Sequence, residues 1–263
     1  MKKFYGRYKI VIFATLLAIY LGVSKGYLFN ATKSIDSETK KGIKELGESS
    51  LQQFKDLSED KYNPEKYKLN DFKGTKQDDL SVMLRAMQEF KKDDAKNVGE
   101  YMEQIELIDL DMALDDSTTL SSYKINIAIE NIDKADHLFD VYLSKYKKSL
   151  IKIRSTLSAE LSKEGFKRAL EGIEKTQKEY SKANNASIYY YDILRQHLLL
   201  TKEMDAKNQF LLEDGILVIK DDYYVNEYNN SIEKHNAALI TVEKRQKDYL
   251  EYMQSVSENL KNI

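Results

Sequence analysis

Between residues 125 and 157, side chains that are apolar at every position but Asp136 recur at alternating steps of four and three: Ile125, Ile129, Ile132, Asp136, Phe139, Leu143, Tyr146, Leu150, Ile153 and Leu157. Because an α-helix turns once in 3.6 residues, this spacing draws one stripe down a helix about 50 Å long. Such a stripe cannot be covered by its own helix and requires partner helices. The same rhythm returns in Val225, Tyr228, Ile232, His235, Leu239, Val242, Gln246, Tyr249, Met253, Val256, Leu260 and Ile263. With ten glycines and one proline in 263 residues, few turns are forced on the chain. The expected fold class is all-α: an elongated antiparallel helical bundle with coiled-coil-like packing.

Other segments fill in this plan. Residues 36–60 have a polar helical pattern, followed by "KYNPEKYKLNDFKGTKQ", a linker carrying Pro64 and Gly74. Helix is expected from Asp78 to about Leu114, although Lys91 and Asp94 fall where apolar residues should recur. "DDSTT" at 115–119 offers turn and N-cap chemistry. Gly165 marks a break after "STLSAELSKE", and "SKANNAS" a turn between helices at 166–183 and 188–213. Residues 214–225, "DGILVIKDDYYV", read as a short β-hairpin or apolar clasp packed on the helices. The domain plan is a basic n-region at 1–9, a signal anchor or signal peptide at 10–29, a juxtamembrane helical segment and linker at 30–75, and a bundle domain at 76–263.

The N-terminal assignment rests on Lys2, Lys3, Arg7 and Lys9 preceding the apolar run "IVIFATLLAIYLGV". This arrangement predicts a single-pass membrane protein with a cytoplasmic N-terminus and an extracytoplasmic body. Signal cleavage would instead release a secreted or periplasmic chain. The absence of cysteine excludes disulfides and thiol chemistry. A formal charge of −2 with interspersed lysine and glutamate gives no basic patch for nucleic acid beyond the N-terminus.

Chemistry-bearing residues concentrate in "NIDKADHLFD" at 131–140. On a helical wheel Asp136 falls within the apolar seam, while Asp133, His137 and Asp140 form its polar shoulder. One helix supplies only part of a metal-ligand set, so no metal, cofactor or catalytic residue is assigned. His197 and His235 lie on the apolar sides of later helices, and contact of either with Asp136 would form a buried acid/imidazole pair. Nineteen tyrosines include the clusters Tyr189, Tyr190, Tyr191 and Tyr223, Tyr224, which could line an aromatic groove. Serine-elbow, P-loop, dinucleotide and H-E-x-x-H signatures are absent from the sequence. The leading functional expectation is a membrane-associated extracytoplasmic scaffold or protein-interaction module, with a protein partner or self-association. The alternatives are a small-ligand-sensing bundle, using Tyr-rich edges or a His/Asp network, and an enzyme of unrecognised class.

Overall fold

A computed structural model describes residues 37–58, 79–110, 112, 121–213 and 216–261. Among them are helices α1 (Ser37–Ser58), α2 (Asp79–Ile105), α3 (Ser122–Glu160), α4 (Lys163–Ala206) and α5 (Asp222–Lys261). Between α4 and α5 lie strands β1 (Phe210–Glu213) and β2 (Ile216–Ile219). The strands pair antiparallel, with Phe210 opposite Ile219 and Glu213 opposite Ile216. The expected all-α antiparallel bundle with one short hairpin is the architecture observed.

Local chemistry sets the element ends. Ser162 caps α4 by accepting a hydrogen bond at Oγ from the Gly165 amide (3.1 Å), and Asp221 caps α5 through the Tyr223 amide (2.8 Å). Asp79 begins α2 and accepts from the Ser162 amide at 2.9 Å, tying that helix to the α3–α4 turn. At the other end of α4, Asn208 adopts φ 52°, the left-handed conformation that stops a helix. Its amide reaches Asp205 O (2.9 Å) and the Gln209 amide reaches Met204 O (2.9 Å), the paired bonds of a Schellman motif.

The chain forms two compact units. One, the hairpin unit, comprises residues 103–141 and 185–245. The other, the tyrosine unit, draws its described residues from α1, α2 up to Met102, 142–184 and the end of α5 from Gln246. In the tyrosine unit, Arg85–Glu160, Asp93–Lys152 and Glu100–Lys145 pair α2 with α3 in opposite directions. Its core is a chain of rings on four helices. Phe90 and Tyr101 of α2 meet Tyr146 and Tyr142 of α3, at 6.0 and 5.8 Å between centroids. Tyr146 meets Tyr180 of α4 at 5.6 Å, and Tyr180 meets Tyr249 of α5 at 6.4 Å. Such contacts add about 0.5–1.5 kcal/mol each beyond their buried area.

In the hairpin unit, Arg195 Nε donates to Asp133 Oδ1 (2.8 Å), and Ser122 bonds Asp205, so α3 and α4 also run antiparallel. The seam of α3 differs from its expected register in this unit. Ala128 and Ala135 are fully buried beside Ile125, Ile132 and Phe139, whereas Ile129 and Asp136 are only half-buried. Asp136 is therefore beside the seam and not within it. The small methyl groups of alanine fill the stripe that the larger side chains alone had suggested.

Three boundaries also change. Helix α2 stops at Ile105, short of the expected Leu114, and α4 stops at Ala206 instead of continuing to 213. "SKANNAS" is not a turn, because α4 runs through it and buries Ala183, Asn184 and Ser187. Tertiary packing there outweighs weak helix propensity. The linker around Pro64 and Gly74 and the "DDSTT" segment lie outside the described residues.

No helix among the described residues is long and apolar enough to cross a membrane. The helices bury one stripe and carry charged side chains elsewhere, whereas a span needs about 20 predominantly apolar residues. This corrects the expected single-pass topology, the membrane as partner, and the membrane-associated scaffold built on them. Segments 1–9 and 10–29, on which that expectation rested, lie outside the described residues.

Candidate functional site: the α4/α5 groove

The hairpin unit contains a half-open groove of about 150 Å³ between α4 and α5. One wall is Ile193, Gln196 and Leu200, at helical spacings of three and four on α4; the other is Glu227, Asn230, Ser231 and Lys234 on α5. These spacings align one side of each helix along the same two turns. Five of the seven lining residues are polar, and they include both charge signs.

The groove is backed by a buried imidazole. His197 Nδ1 lies 2.9 Å from Ser231 Oγ, and its ring lies 5.2 Å from that of Tyr228. Tyr228 in turn meets Phe210 of β1 edge-on at 6.5 Å. Ser231 thus lines the groove while contacting a chain of rings that reaches the hairpin. Two turns earlier on α4, Tyr190 Oη lies 2.8 Å from His235 Nε2, with ring centroids 5.2 Å apart. Burial lowers the pKa of His235 and raises that of Tyr190, favouring a neutral imidazole beside a neutral phenol.

The residues singled out in the sequence divide among several places. His197 and His235 pair with Ser231 and Tyr190, respectively. Asp136 instead faces acidic neighbours: burial, followed by Asp192, Asp133 and Asp140, raises its pKa to about 6, against the opposing charge of Arg195. His137 is exposed on α3. Among the described residues, no group of three or more histidine, aspartate or glutamate side chains is arranged to hold a metal ion.

The tyrosine clusters also split. Tyr190 and Tyr191 are buried, with centroids 5.5 Å apart, while Tyr189 is exposed. Tyr224 is buried; its hydroxyl donates to Glu203 (2.9 Å) and receives a bond from Lys207 (2.6 Å). Tyr223 is exposed. Sequence reasoning had not singled out Gln196, Glu227, Asn230, Ser231 or Lys234. A signal was available for Ser231, three positions after Tyr228 and four before His235, but a single helix gives no indication of which neighbour completes the groove.

A scan against protein-family models and searches of curated proteins and of solved structures each found no match to this chain.

Proposed function

We propose that the protein is a small-ligand-sensing helical bundle whose ligand, a small polar molecule, occupies the α4/α5 groove. The supporting observation is the groove's polar lining joined through Ser231 to the buried His197. Lys234 and Glu227 offer opposite charges, and Gln196 and Asn230 offer amides that both donate and accept. A ligand engaging both walls favours one spacing of α4 and α5. Any shift at Ser231 reaches His197 and Tyr228, so groove occupancy is coupled to the packing beneath it. The response is limited by the ligand's difference in affinity between the two packings.

Thermal unfolding of the full chain against a panel of small zwitterions, carboxylates and polyols tests this reading. A ligand at 100 times its Kd adds about 2.7 kcal/mol of stability. At least one panel member should raise Tm by several degrees, and the Gln196→Ala/Lys234→Ala variant should lose that shift while retaining its unliganded Tm. A panel with no stabilising member, or a shift equal in the variant, rejects the proposal.

A further inference from the structure

The tyrosine unit buries two ionisable groups one helical turn apart on α2, and hydroxyls from different helices hold them. Lys91 is buried, and its Nζ donates to Ser49 Oγ of α1 at 2.8 Å. Asp94 is fully buried; its Oδ1 accepts from Tyr142 Oη of α3 at 3.3 Å, and its Oδ2 has no hydrogen-bond partner among the described residues. The ammonium and the carboxyl thus point into different helix interfaces. Burial penalises each charged form separately.

We propose that this turn of α2 is a two-sided proton latch. Loss of the Asp94 proton loosens the α2/α3 face, and gain of a proton by Lys91 loosens the α1/α2 face.

The surroundings support that division. Tyr142 and Tyr146 of α3 lie on the Asp94 side, with Tyr180 of α4 and Tyr249 of α5 behind them; Tyr101 joins Tyr142 from α2 itself. Asp93 is the neighbouring carboxylate on α2 and is paired with Lys152 of α3. On α1, Glu45 and Glu48 pair with Lys41 and Lys44. Burial holds the Asp94 pKa up at about 7, with Asp93 adding to the rise and the Tyr142 bond opposing it. Burial brings Lys91 down to about 7.

These directions give opposite pH dependences. The raised Asp94 contributes stability that is fully present below its ordinary 3.8 and lost as pH rises through about 7. The lowered Lys91 contributes stability that is present above its ordinary 10.5 and lost as pH falls through about 7. Their combined contribution is smallest near neutrality.

Amide-exchange protection of α1 and α2 in the full chain, corrected for intrinsic exchange, tests the latch between pH 5 and 9. Asp94→Asn should be better protected than wild type by a factor that grows up to about tenfold per pH unit towards pH 7 and then levels off. For Lys91→Met, the gain should be greatest below pH 7 and shrink above it. Differences independent of pH for both variants overturn the proposal. If a variant does not fold, carboxyl-carbon NMR titration of wild-type Asp94 decides: a midpoint near neutrality supports the latch, and one in the ordinary carboxylate range refutes it.

Discussion

At the scale of single residues, the Tyr190–His235 contact shows how burial selects a protonation state. The imidazole is half-buried and its pKa is lowered, so Nε2 is available to accept from the phenol 2.8 Å away. A net intramolecular hydrogen bond contributes about 0.5–1.5 kcal/mol. Tyr190→Phe should lose roughly 1 kcal/mol in urea unfolding at neutral pH, with an unchanged slope if compactness is preserved. Because its folded pKa is depressed, the contribution of His235 is present above the ordinary 6.5 and lost as pH falls through the folded value. The Tyr190→Phe loss should therefore shrink in acid, where a protonated ring has no lone pair to accept.

At the scale of elements, the end of α4 depends on one left-handed residue. Asn208 at φ 52° adopts a conformation that asparagine tolerates and alanine resists. Asn208→Ala should cost about 1–2 kcal/mol, whereas Asn208→Gly should be neutral or mildly stabilising. Thermal melts of the two variants check the difference in sign. The long periodic helices were legible in the sequence because their large apolar residues repeat along one face. Less visible were Ala128 and Ala135, whose small side chains barely register as a stripe although both are fully buried. That omission placed Asp136 one position too far into the core. The false break at "SKANNAS" has a related origin: Asn184 and Ser187 weaken an isolated helix, and only packing against neighbouring helices reverses the preference. The groove was still harder to read, since its walls come from segments about 34 residues apart, the separation of His197 and Ser231.

At the scale of the whole molecule, tyrosine has an unusually large structural role in a chain without tryptophan. In the tyrosine unit, Tyr146 touches Phe90, Tyr142 and Tyr180, so one side chain joins three helices. Tyr146→Ala should cost about 3–5 kcal/mol, as large-to-small aromatic core substitutions do. Tyr146→Phe retains the ring and should cost much less; denaturant midpoints separate the two outcomes. A different consequence follows from the alanines. Ala128, Ala135, Ala169 and Ala183 are fully buried, and Ala238 is 2% exposed. Added methylenes at such positions force neighbouring backbones and rotamers to move. Over evolutionary time, leucine, isoleucine and methionine can trade places at core sites of similar volume, while these alanines have few substitutes. The slowest-changing packing positions in this lineage should include its smallest side chains.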